Sequence, residues 1–154
     1  MAKKILLKSR SEPALYTLFG ISCHLRDYHL VFLLNEQLEL AFVKKDDFLG
    51  CYSLYFYRDE DCYNAYYLLG NRGEDTTLLP ELKQTDFLLL VEGPFKKNQK
   101  ESLLANIKGI QSVLAVFEIR FATIRNYESI LNDLEIHFMN INKELKVTYS
   151  PSKR

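Results

Sequence analysis

Three patterns in the sequence predict an α+β fold. Two short stretches, residues 15–21 and 87–91, carry no charge on either alternating face, as strands inside a sheet require. Three longer stretches repeat apolar residues at three- and four-residue steps, the period of a helix that buries one face. Two aromatic runs, residues 52–57 and 64–69, flank the acidic connection Arg58-Asp59-Glu60-Asp61-Cys62 and read as an antiparallel hairpin.

In chain order, residues 1–13 are polar, end in Ser11-Glu12-Pro13 and read as a flexible lead-in. A strand over 15–21 stops near Gly20. Ser22 is placed to accept amide hydrogen bonds at the start of a helix over 25–38, whose stripe is Leu25, Tyr28, Val31, Phe32, Leu34 and Leu38. Asp27 sits where the helix dipole favours an anion. Residues 39–44 alternate, with Leu40 and Phe42 on one face, as in a half-buried strand. A turn at Asp46-Asp47 leads to the hairpin, and Gly70-Asn71-Arg72-Gly73 reads as a loop. Pro80 suits the first position of a short turn. After the strand over 87–91, closed by Gly93-Pro94, a second helix begins near Asn98 with Leu103, Leu104, Ile107 and Ile110 as its stripe. A strand over 114–123 alternates Phe117, Ile119 and Phe121 with Glu118 and Arg120. Tyr127, Ile130, Leu131, Leu134, Phe138, Ile141 and Leu145 trace a C-terminal helix over 124–146, followed by a polar tail over 147–154.

The order β-α-β, hairpin, β-α-β, helix predicts a ferredoxin-like split β-α-β sheet enlarged by a β-hairpin, within one domain over 14–146. In that topology the first and third core strands are central, and those are the two charge-free stretches. The first two helices are expected on one face of the sheet. The other face, rich in tyrosine, is expected to be amphipathic and suited to an interface.

Length and composition narrow the class. At 154 residues the chain is of single-domain size, with 47% hydrophobic and 26% charged residues. Six glycines and four prolines exclude a collagen-like or low-complexity chain. No apolar run approaches the roughly 18 residues of a membrane span. The run Ile5-Leu6-Leu7 is too short for a secretion signal, and three cysteines without a C-x-x-C suit reduced thiols, so a cytoplasmic location is expected. Twenty basic residues balance twenty acidic ones, but unevenly. Residues 35–92 hold five basic and twelve acidic groups, whereas 93–154 hold ten basic and six acidic. Charges that follow solvated turns explain this, and basic arms for an anionic partner are the sharper reading.

Catalytic motifs are not found: there is no G-x-G-x-x-G, Walker A loop, H-E-x-x-H or G-x-S-x-G. Cys23, His24, His29 and His137 show no metal-ligand spacing, and Asp59-Glu60-Asp61 lacks the glycine of a calcium loop. Neither a metal nor another cofactor is expected. Cys23 and His24 are chain neighbours, whose side chains diverge, and so make no nucleophile pair. Tyr55, Tyr57 and Tyr67 resemble an aromatic platform for single-stranded nucleic acid, with Lys96, Lys97 and Lys100 nearby. The acidic excess around those tyrosines repels phosphate and counts against it.

Residues 79–87 read Leu79-Pro80-Glu81-Leu82-Lys83-Gln84-Thr85-Asp86-Phe87. This resembles the motif of the IPExxxVDY family, bacterial proteins without an assigned activity. Pro80, Glu81 and Asp86 match it, while Leu79, Thr85 and Phe87 replace Ile, Val and Tyr. The helix segment with Leu25, Asp27, Tyr28, Leu33, Leu34 and Asn35 is similar to the family's early segment, so the resemblance spans about residues 15–122. It implies a fold and a bacterial cytoplasmic origin, and no activity. The motif has an architectural reading, in which Pro80 fixes a turn, Glu81 complements exposed amides and Asp86 caps the exit. Its chemical reading pairs Glu81 with Asp86 in one cleft.

Two functions follow as expectations. The first is a non-catalytic module that associates with itself or another protein through Tyr55, Tyr57, Tyr67 or the C-terminal helix at Phe138. The second is a small anionic-ligand binder, or an enzyme without a familiar motif, with a cleft formed by Glu81, Asp86, Lys96, Lys97 and Lys100, where a helix start offers free amides. Single-stranded nucleic-acid binding is a third.

Overall fold

Six strands make one sheet in the order β2-β3-β4-β5-β1-β6, and every neighbouring pair is antiparallel. They are β1 (Tyr16–Cys23), β2 (Val43–Phe48), β3 (Tyr52–Asp59), β4 (Asn64–Gly70), β5 (Phe87–Glu92) and β6 (Val113–Ile119). The helices are α1 (Asp27–Leu38), α2 (Lys97–Lys108) and α3 (Tyr127–Ser152), with short 3-10 turns at Pro80–Leu82 and Phe121–Thr123. This is a computed structural model that describes residues 16–61 and 64–152, with side chains through residue 140. The predicted lead-in at 1–13 lies outside the described residues. The chain divides into two compact units, one holding the sheet (Glu12–Arg125) and one holding α3. Among the described residues no helix is long and apolar enough to cross a membrane.

The charge-free strands β1 and β5 are paired neighbours, with Phe19 opposite Leu89 and Leu18 opposite Leu90. The charged strands β2 and β6 are the two edges. The strand beside β5 is β4, so the aromatic hairpin lies inside the sheet and the predicted strand at 39–44 does not. Residues 39–42 become a connection, and the strand starts only at Val43, because Glu39 takes a left-handed φ of 56° that ends α1. The Asn35 side chain then supplies Phe42 with the bonds a ladder would give. Asn35 Oδ1 accepts from the Phe42 amide at 2.9 Å, and Asn35 Nδ2 donates to its carbonyl at 3.2 Å. β2 and β3 are joined by the three residues Leu49-Gly50-Cys51, which hold a β-turn closed by the Cys51 amide on the Phe48 carbonyl, with Leu49 (φ 53°) and Gly50 (φ 76°) both left-handed at its centre. Such a turn matches the twist of its strands.

Both sequence helices that follow strands pack on one face. Leu30, Val31 and Leu34 of α1 and Ile107 of α2 cover Phe19, Ile21, Tyr66, Leu68, Leu89 and Val91. Each such side chain withdrawn from water contributes about 1.5–3 kcal/mol before entropy. The α1 stripe therefore differs from prediction, since Tyr28 and Phe32 are exposed. Ser22 is not the α1 cap either. It belongs to β1, its Oγ donates to the Gln84 carbonyl at 2.9 Å, and Arg26 holds the N-cap position. On the second face Leu54, Leu69, Leu88 and Leu90 are as fully buried as the helix-side core, so an open amphipathic face is not what the inner strands present.

At the C-terminal end of the sheet unit, β6 ends at Ile119 rather than 123. The Thr123 hydroxyl donates to the Arg120 carbonyl at 2.7 Å and helps close a 3-10 turn. Leu131 and Leu134 of α3 are buried, and its backbone runs to Ser152 rather than stopping at 146. An apolar stripe marks which face is buried, whereas an established helix propagates through polar residues as well.

Candidate functional site

The connection from β4 to β5 must run past buried leucines, and a buried loop has to find partners for its own amides and carbonyls. Asn71, fully buried, does this. Its Nδ2 donates to the carbonyls of Leu82 (2.9 Å) and Thr85 (2.8 Å), and its Oδ1 accepts from the Leu79 amide at 2.8 Å. Its backbone joins in, the amide donating to Asp86 O at 2.9 Å and the carbonyl accepting from the Leu78 amide at 2.7 Å. Leu78 and Leu79 are thereby held in the interior.

Asp86 ends this connection and reaches two other elements. Its Oδ2 accepts from the Cys23 amide at 2.9 Å, and its Oδ1 accepts from Arg72 Nε at 3.0 Å. Arg72 also donates to the Lys83 carbonyl. Asp86 thus stitches β1 to the start of β5, beside the main-chain bond from its amide to Ile21 O.

A cleft of about 470 Å³ opens at this point, lined by Arg26 and Asp27 at the start of α1, Lys44 and Asp47 of β2, Cys51, Ser53, Gly70, Arg72 and Asp86. A Cβ on Gly70 would lie 2.7 Å from Ser53 Oγ, so a larger residue there would turn the serine hydroxyl away. The carboxylates already have partners: Asp86 holds Arg72, Asp47 meets Lys44 Nζ at 3.4 Å, and Asp27 Oδ2 accepts from the Tyr55 hydroxyl at 3.1 Å. The lining thus balances three basic groups (Arg26, Lys44, Arg72) against three acidic ones (Asp27, Asp47, Asp86), and among the described residues Arg26 has no carboxylate partner.

The predicted ligand residues do not converge on this cleft. Asp86 lines it; Glu81, Lys96, Lys97 and Lys100 do not. Glu81 lies on the 3-10 turn, where its Oε2 accepts from the Arg125 amide at 2.7 Å. That bond holds the Glu81 carboxyl below the usual range. Lys96 precedes α2, its amide donating to Gln99 Oε1 at 2.8 Å, and Lys97 opens the helix. Lys100 pairs with Glu118 of β6 at 3.1 Å. Segment 79–87 therefore acts through separate backbone attachments, and its two carboxylates serve different loops.

The tyrosines likewise divide between faces. Tyr55 and Tyr57 point to the helix side with Tyr66, while Tyr67 is on the opposite side against Phe56, with centroids 5.3 Å apart. Tyr55 and Tyr67 are both buried, so the three do not make one exposed platform. Phe138 stands half-buried on α3. The Tyr67 hydroxyl donates to Glu92 Oε1 at 2.6 Å, and burial first, then that bond, pushes its pKa far above the ordinary value. Burial, followed by the charge and hydrogen bond of Asp27 and the charge of Asp47, raises Tyr55 to about 12. Burial also pushes the Cys23 thiol up. Among the described residues no cluster of three or more His, Cys, Asp or Glu is arranged to hold a metal.

The tyrosine shifts carry a pH dependence. Between about pH 10 and 12 the folded state keeps a proton on Tyr55 that the unfolded chain has released, so stability falls as pH rises through that window. Denaturant unfolding from pH 9 to 12 should show this decline, and Tyr55→Phe should make it shallower. An unchanged slope in that variant would contradict the assignment.

Asn71, Arg72 and the cleft they border were not legible as a site. Gly-Asn-Arg-Gly reads as any polar loop, and the signal available was the Leu78-Leu79 pair, which demands a buried polar partner nearby. Comparison with protein-family models finds no model that matches the chain, and comparison with curated proteins finds no match. The likeness to the IPExxxVDY motif therefore rests on the sequence resemblance alone.

Proposed function

We propose that this chain is a non-catalytic interaction module that self-associates, built on a ferredoxin-like split β-α-β core. The strand order β6-β1-β5-β4 supports that core, with α1 after β1 and α2 between β5 and β6, both on one face. In this reading β2 and β3 are strands added beyond β4. The observation that carries self-association is the outer strand β6, where Leu114 is 61% exposed and Phe117 38% exposed on an edge that, among the described residues, pairs with β1 alone. Sedimentation velocity on the full chain is expected to show the average mass rising from low to high micromolar concentration. A constant monomer mass across that range refutes the proposal.

A second reading is favoured by the cleft at Asp86: binding of a small anion between Arg26 and the start of α1. Titration with inorganic phosphate should shift the amide resonances of residues 26–28 saturably, and Arg26→Gln should weaken the effect several-fold. Phosphate shifts that never saturate, or that persist unchanged in the variant, remove this reading.

A further inference from the structure

We infer that the partner of β6 is the β6 strand of a second copy of this chain, paired antiparallel about a two-fold axis so that two six-stranded sheets become continuous. This rests on the self-association reading and says which surface performs it. Among the described residues β6 bonds on one side only, to β1. Its seven residues, Val-Leu-Ala-Val-Phe-Glu-Ile, are uncharged from Val113 to Phe117. The other edge is different. β2 carries Lys44, Lys45, Asp46 and Asp47 in succession, the kind of charged edge that resists strand addition. Joining β6 to β2 of another copy would set apolar residues against those charges, and would extend head to tail rather than close. Pairing β6 with itself is isologous and closes at two copies.

The register follows from charge and size. With Val116 on the axis, Ala115 lies opposite Phe117 of the other copy, twice, small against large on one face. The regular ladder is confined to this stretch, because β6 bulges at Leu114, where Ser22 pairs with Ala115 and Cys23 with Val113. Each Glu118 keeps its own Lys100, so no like charges meet. A shift that centred Glu118 on the axis would put two carboxylates face to face. A single strand edge is a small interface, of the class below about 1,200 Å² buried, so association in the micromolar range is expected.

The test combines sedimentation with hydrogen exchange on the full chain. On raising the concentration, amides of residues 113–119 should gain protection while those of β2 do not. Ala115→Lys and Phe117→Lys should each abolish the mass increase with an unchanged circular dichroism spectrum. Tyr28→Lys/Phe32→Lys, on the exposed face of α1, should leave it intact. Self-association lost in the α1 variant but kept in both β6 variants overturns the edge pairing and leaves the module reading standing. A monomer at every concentration overturns both. Should either lysine variant misfold, concentration-dependent protection at 113–119 in the unaltered chain decides the question, and its absence in a self-associating sample overturns the pairing.

Discussion

Asn71→Ala is expected to cost about 3–5 kcal/mol of unfolding free energy, more than removal of any exposed side chain in the sheet unit. The substitution strips partners from the carbonyls of Leu82 and Thr85 and from the amide of Leu79, around a residue with no solvent exposure. A buried polar group left without a partner costs about 1–3 kcal/mol, and two lose theirs at once, the Thr85 carbonyl and the Leu79 amide, while the Leu82 carbonyl keeps its bond from the Thr85 amide. Asn71→Asp separates the two halves of the interaction: the Oδ1 acceptor survives, both donors go, and a buried charge is added. It should be at least as damaging as alanine near neutral pH. Urea unfolding followed by circular dichroism measures both. A loss under about 1 kcal/mol for Asn71→Ala would mean that water replaces the side chain and that the connection is not organised by it.

The second large effect concerns which side of α1 meets the sheet. Leu34→Ala should cost about 2–5 kcal/mol, since the leucine is fully buried against the helix-side core and its loss leaves a cavity. Phe32→Ala, two residues away, removes a larger side chain that is 57% exposed, and should change stability by no more than about 0.5 kcal/mol. The contrast is sharper than either value. If the two variants were equally destabilised, α1 would be rotated relative to the orientation described. That orientation is set by contacts at both ends of the helix: Tyr55 to Asp27 at its start and Asn35 to Phe42 near its end. Both contacts lie on the side of Leu30, Val31 and Leu34.

These two residues also show where pattern reading reaches its limit. The α1 sequence is apolar at 28, 30, 31, 32, 33 and 34, so more than one stripe can be drawn through it. Helical period establishes that a helix exists, whereas rotation about its axis is chosen by what it packs on. Alternation failed in a similar way at 39–42. Leu40 and Phe42 obey a period of two, yet Phe42 is buried from a connection whose bonds come from Asn35. A period of two reports which side chains are buried and is silent on whether a neighbouring strand or a side chain satisfies the backbone.

By itself the chain's order of residues determined the α+β class, the adjacency of β1 and β5 inside the sheet, the β3–β4 hairpin and the three helices. Those features depend on local propensity and on how much charge each segment carries, and both are written in the segment. Tertiary structure alone decided that β4 rather than 39–44 pairs with β5, that Glu81 and Asp86 serve different loops, and that Arg26, Arg72 and Asp86 border one cleft. Each of these joins residues far apart in the chain, through bonds whose partners no local pattern names. Asn71 makes the reason plain: an amide that reads as loop chemistry becomes the centre of the connection only when three backbone groups from elsewhere are folded around it.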